Sequence, residues 1–134
     1  MSIIDAAEVI ADLLSRGHTV RFRAGGDSMH PIIRSNDYLL VEPAAHLRIR
    51  RGDVVLTAAH RGLTAHRVIG VKGETLITRG DNARENDPPI ALTRVLGRVT
   101  HAERAGRTRR VRRATSLLLT LHRVWSAATR VAAL

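Results

Sequence analysis

These 134 residues predict a mainly β fold, a small antiparallel sheet or barrel with a helix at each end, on three observations. Short apolar runs, several of them alternating, recur between residues 19 and 100, separated by turns bearing Gly and Asp. The two flanks instead carry the three-to-four-residue spacing of helices. Aromatics are nearly absent (Phe22, Tyr38, Trp125), so the core must be built from Val, Ile, Leu and Ala.

The elements follow in order. Ile3, Ala7, Ile10 and Leu14 mark an amphipathic helix over 3–16, with Ser2 and Asp5 as a capping pair and Gly17 as the stop. Thr19 to Arg23 alternates as a half-buried strand does. Tyr38 to Glu42 is the next strand, ended by Pro43. Arg51-Gly52-Asp53 turns into a third strand over 54–59. Arg61-Gly62 is a hairpin turn into 63–69, and Lys72-Gly73-Glu74 turns again into 75–78. A polar loop, Gly80 to Pro89, precedes a last strand within 90–100. Asn-Asp or Gly-Asp stands before an apolar strand twice, at 36–37 and 52–53. From Ala105-Gly106 the composition shifts, and Leu117, Leu121, Trp125, Ala128 and Ala132 share one face of a cationic amphipathic helix over 107–134. Three segments result: an N-terminal helix (1–18), a β domain (19–103) and a basic tail (104–134).

The formal charge of +10 sits mostly in that tail, where residues 104–134 hold eight arginines and no acid. Basicity therefore classifies the tail and not the domain. Arginines opposite Leu117, Leu121 and Trp125 form an interfacial pattern, so an anionic membrane surface is the partner expected for 107–134, with packing on the body as the plain reading and nucleic acid third. No stretch reaches the roughly 18 uncharged apolar residues of a membrane span, and no basic region precedes a long apolar run at the N-terminus. The expected location is cytoplasmic, with the tail as a peripheral membrane contact. With no cysteine, disulfides, thiolate metal sites and cysteine nucleophiles are excluded. His18, His46, His60, His101 and His122 show no metal-ligand spacing, and no metal or cofactor is expected.

The stretch with chemical character is Gly25-Gly26-Asp27-Ser28-Met29-His30-Pro31, a tight turn presenting one serine. A serine nucleophile needs a base. Lys72, the only lysine, stands at a hairpin tip, where solvation keeps it charged. His66 stands within a strand that can fix its geometry, and an imidazole suits general-base work near neutral pH. The loop after the fifth strand offers Asp81 and Asp87 as carboxylates to orient it. His30, so near Ser28, is a candidate for the substrate groove.

As an ordered set these residues resemble the serine peptidase superfamily that includes signal peptidases and the self-cleaving phage and SOS repressors. Gly26-Asp27-Ser28-Met29-His30-Pro31 is similar to its nucleophile box. Asn36-Asp37-Tyr38-Leu39-Leu40-Val41 and Arg51-Gly52-Asp53-Val54-Val55 are similar to its next two blocks. His66-Arg67-Val68-Ile69 resembles the base block of archaeal and endoplasmic-reticulum signal peptidases, which use histidine where the bacterial type uses lysine. Thr78-Arg79-Gly80-Asp81-Asn82 through Asp87 resembles the final block, with two acids six apart.

The resemblance implies a coiled β fold of the signal-peptidase type, with Ser28 as nucleophile, His66 as base and acid, and Asp87 as orienting carboxylate. Asp81 is its support or an alternative third member. The Ser28 N–H faces the oxyanion, and Gly26, Asp27, Met29 and His30 surround the substrate. Signal peptidases commonly carry a serine two positions before the nucleophile as a second oxyanion donor. Here that position is Gly26, so the donor comes from backbone or is absent. Asp27 is more typical of the repressor-like branch. The function implied is a serine endopeptidase that cleaves a peptide or leader sequence of a preprotein after small residues. Two alternatives stand beside it: a self-cleaving repressor-like protein with a nucleic-acid-binding tail, cut at Ala105-Gly106, and a non-catalytic binding module on a peptidase scaffold.

Overall fold

The computed structural model describes residues 6–45, 48–59 and 62–114. Helix α1 spans Ala6–Ser15, and Leu14 is its buried anchor. The chain reverses at Gly17 (φ 88) into β1, Val20–Arg23. The capping pair Ser2 and Asp5 lies outside the described residues.

Seven further strands follow: β2 (Tyr38–Pro43), β3 (Val54–Ala59), β4 (Gly62–Lys72), β5 (Thr75–Arg79), β6 (Ile90–Ala91), β7 (Val95–Arg104) and β8 (Arg107–Arg110). All pairings among the described residues are antiparallel, in the order β1-β2-β7-β3-β4-β5-β6, and β8 pairs with β7. The sheet curls into a half-barrel, the mainly β architecture expected. The strand expected within 90–100 is instead β6, a 3-10 turn at Leu92–Arg94, and β7.

Burial follows the side-chain alternation of strands. Val54 and Leu56 of β3 join the larger core with Leu14, Val20, Leu39, Val41 and Val99. Val55, between them in sequence, joins the smaller core on the other face with Val68, Leu76 and Val95. A strand buried on both faces reads as a continuous apolar run.

The repeated turn at 36–37 and 52–53 is one structural device used twice. Asn36 (φ 74) and Gly52 (φ 95) both take left-handed backbone, and each following aspartate folds back on its own turn. Arg34 N–H donates to Asp37 Oδ2 at 2.9 Å and Arg50 N–H to Asp53 Oδ2 at 2.8 Å. Both carboxylates are almost completely buried, and both receive an arginine from the C-terminal part of the chain: Arg104 on Asp37, Arg113 on Asp53. A buried charge needs such a partner.

This corrects part of the tail. Arg107–Arg110, expected to begin a helix, is a strand. Ala105 (φ 52) and Gly106 (φ 75) form a two-residue turn whose left-handed pair matches strand twist, and β8 then pairs from Arg104↔Arg107 to His101↔Arg110. The hairpin also brings Arg109 within 3.6 Å of Asp37, beside Arg104. Residues 111–114 are not helical either, and 115–134 lies outside the described residues.

The hydrogen-bonded Arg104 guanidinium holds the Asp37 carboxyl below its ordinary 3.8, against the opposing effect of burial. A carboxyl lowered on folding adds stability that is present above its unfolded value and lost as pH falls through the folded one. Asp37→Asn is therefore expected to lower stability at neutral pH by about 1.5–3 kcal/mol. The melting temperature of this variant should also depend less on pH below 3.8 than that of wild type. Thermal unfolding followed across the acid range checks both.

Candidate active site

The turn that carries Ser28 follows β1 and is closed from several sides. Ala24 N–H donates to Asp37 O at 2.7 Å, and Asn36 N–H to Ala24 O at 2.9 Å, so β1 and the start of β2 clamp its base. Met29 and Ile33 anchor it in the larger core, which leaves Ser28 exposed at the surface. Gly26 takes φ 77, the left-handed backbone its sequence position suggested.

Strand β4 supplies the imidazole. His66 pairs in register with Val55 of β3, and its side chain is 13% exposed. Its Nε2 lies 3.0 Å from Ser28 Oγ, and its Nδ1 lies 2.5 Å from Asp87 Oδ2. An ionised carboxylate can only accept, so the proton belongs on Nδ1, and Nε2 is left to accept from the serine hydroxyl. Thr78 Oγ1 donates to the same Asp87 oxygen at 2.8 Å, and Asp87 N–H donates to Thr78 O at 2.8 Å. The acid is thus fixed by backbone and side chain together.

Of the two acids, the structure brings Asp87 to His66 and gives Asp81 a different partner. Arg67 Nε and Nη2 donate to Asp81 Oδ1 and Oδ2 at 3.1 and 2.7 Å, a bidentate pair largely out of solvent. Successive residues of a strand face opposite ways, so His66 and Arg67 address different parts of the same loop. Lys72 is exposed at the far end of β4, six residues from His66, or roughly 20 Å along a strand. It has no access to Ser28.

The loop also supports Ser28 directly. Asn82 N–H donates to Ser28 O at 2.9 Å, and its side-chain amide to Asp27 O at 3.2 Å. Asp81 N–H reaches Met29 Sδ at 3.3 Å. Gly80 is packed so closely that a Cβ would lie 2.5 Å from Ser28 O and 3.1 Å from His66 Nε2. Thr78, Gly80 and Asn82 lie in the block that suggested Asp81 and Asp87, yet sequence reasoning assigned them no task.

A recess of about 240 Å³ opens beside Ser28. Phe22, Ala24, Gly25 and Gly26, Leu63 to His66, and Leu39 and Leu56 of the sheet are among its lining. Met29, expected in the groove, is core that also touches this recess, whereas Asp27 and His30 are exposed and outside its lining. Residues 62–66 of β4 pair with β3 on one side only, because β5 begins its pairing at Arg67. One β4 edge therefore faces the recess without a strand partner among the described residues. The described residues hold no cluster of His, Asp and Glu suited to a metal, and no helix among them is long and apolar enough to cross a membrane.

Ser28, His66 and Asp87 thus form one hydrogen-bonded chain beside a curled β-sheet. The Peptidase S24-like family model matches residues 2–100, and the chain belongs to that family. No curated protein matches it.

Gly80→Ala is expected to cost about 1–3 kcal/mol through overpacking against Ser28. Gly70→Ala, where an added Cβ meets nothing within 4 Å, should stay within about 0.5 kcal/mol of wild type. Urea unfolding of the pair checks this.

Proposed function

We propose that this protein is a serine endopeptidase in which Ser28 is nucleophile, His66 is general base and acid, and Asp87 orients the ring. One observation carries the reading: a single imidazole contacts both the Ser28 hydroxyl and the Asp87 carboxylate, at 3.0 and 2.5 Å. The family includes non-catalytic members, so the reading rests on that contact and not on membership.

The substrate binds as an extended strand along the free edge of β4, with alternate side chains entering the recess. Small residues precede the scissile bond, as the resemblance to signal peptidases implies. Ser28 Oγ attacks the scissile carbonyl carbon while its proton passes to His66 Nε2. The Ser28 N–H donates to the developing oxyanion. His66 then protonates the leaving amine, and water, activated by the same nitrogen, releases the acyl group from Ser28. Asp87 stays ionised and stabilises the imidazolium. The base is a histidine, as in archaeal and endoplasmic-reticulum signal peptidases.

Self-cleavage at Ala105-Gly106 is poorly served by the fold. Those residues form a tight hairpin turn between paired strands, whereas the groove accepts extended chain.

Labelling by a fluorophosphonate probe and cleavage of leader-type peptides test the assignment. Ser28→Ala should abolish labelling. His66→Ala should slow acylation by about 10⁴-fold or more, and Asp87→Asn by about 10²–10⁴-fold. Cleavage that survives Ser28→Ala or His66→Ala undiminished would reject the mechanism.

A further inference from the structure

The family match ends at residue 100, yet the described chain runs on to Ala114 and returns to the sheet. After β8, four residues are tied down one after another. Val111 is buried in the larger core, and its N–H donates to Thr100 O at 2.8 Å. Arg112 O accepts from Arg67 Nη1 at 3.1 Å. Arg113 Nε donates to buried Asp53 at 3.0 Å. Ala114 N–H donates to Gly52 O at 3.0 Å.

Arg67 is where this segment meets the site. Its Nη1 is shared between Gly52 O and Arg112 O, while Nε and Nη2 hold Asp81. The next residue, Asn82, holds the carbonyl of Ser28. The path therefore runs from residue 112, through one buried guanidinium, to the loop that carries both Asp87 and the support of the nucleophile. Every step is a hydrogen bond or a covalent neighbour.

We propose that Val111–Ala114 is a strap that holds the nucleophile and its supporting loop in register, acting through Arg67 as a positioning residue. The consequence for acylation rests on the Ser-His-Asp reading above; the consequence for loop order does not. The fork of Arg67 satisfies Asp81 fully only while its remaining N–H groups have acceptors, and the strap supplies one of them. Displacing the strap leaves that buried cation short of an acceptor and loosens its hold on Asp81.

Gly52 allows a test that leaves every triad residue untouched. A Cβ there would lie 2.3 Å from Ala114 O and 2.7 Å from Arg113 Cγ, so Gly52→Ala wedges the strap away. Gly73→Ala is the control, because Gly73 has left-handed backbone (φ 60) but open space around it. In the full chain, amide hydrogen exchange is measured over 80–87 and over β1–β2, together with the rate of fluorophosphonate labelling. Gly52→Ala should speed exchange in 80–87 by tenfold or more, leave β1–β2 within about twofold of the control, and slow labelling by at least tenfold. Arg113→Ala, which removes one anchor without adding bulk, should show the same pattern at smaller amplitude. Arg67→Lys, with the charge but not the fork, should lower kcat more than it raises KM. Unchanged exchange over 80–87 in both Gly52→Ala and Arg113→Ala would overturn the strap, as would a uniform rise that includes β1–β2. A wild type that never labels, with the exchange pattern as stated, would overturn the peptidase reading and leave the strap standing.

Discussion

One buried guanidinium joins what the sheet alone would leave apart. Arg67 has 6% of its side chain exposed, and it donates to a carboxylate on the loop after β5 and to two backbone carbonyls, one before β3 and one after β8. A cation so far from water is tolerated only with partners of this number and geometry, and removing one partner from a buried pair leaves the other uncompensated. The constraint is therefore mutual. The loop cannot drift without exposing Arg67 to an unmet need, and Arg67 cannot turn out without leaving Asp81 unpaired.

The same economy recurs at Asp37 and Asp53. Each is a buried acid closed on its own turn and capped by an arginine far along the chain, at 104 and 113. These pairs sew the C-terminal residues to turns that lead into β2 and β3, the strands beside β7. The arginines of 104–113 are thus divided in purpose. Arg104 and Arg113 neutralise interior acids and Arg109 of β8 stands near one of them, while Arg107 and Arg110 are exposed on the strand. The charge of the C-terminal part is not simply a solvated tail, since its first third is architecture.

Much of the candidate site is legible in the sequence. The order of Ser28, His66 and Asp87, on a tight turn, within a strand and in a polar loop, carried the resemblance, and the turns at 36–37 and 52–53 were visible as a repeated pair. Two matters were not legible. Asp81 and Asp87 are both acids in one loop, and sequence spacing does not tell which faces the ring; the phase of β4, with His66 and Arg67 on opposite faces, does. Arg107 to Arg113 has spacing compatible with a helix, but 107–110 pair as a strand after the left-handed turn at 105–106, and Arg113 is held by an acid 60 residues earlier.

The amino-acid order alone settled the alternation of strands and turns, the one serine poised on a tight turn, and the lack of any thiol chemistry, because these are local properties of side chains and backbone. Which acid contacts the imidazole, how closely Gly80 approaches Ser28, and where residues 104–114 pack emerge only in three dimensions. Each depends on groups distant in the chain meeting within about 3 Å, where hydrogen bonding has its geometric limits.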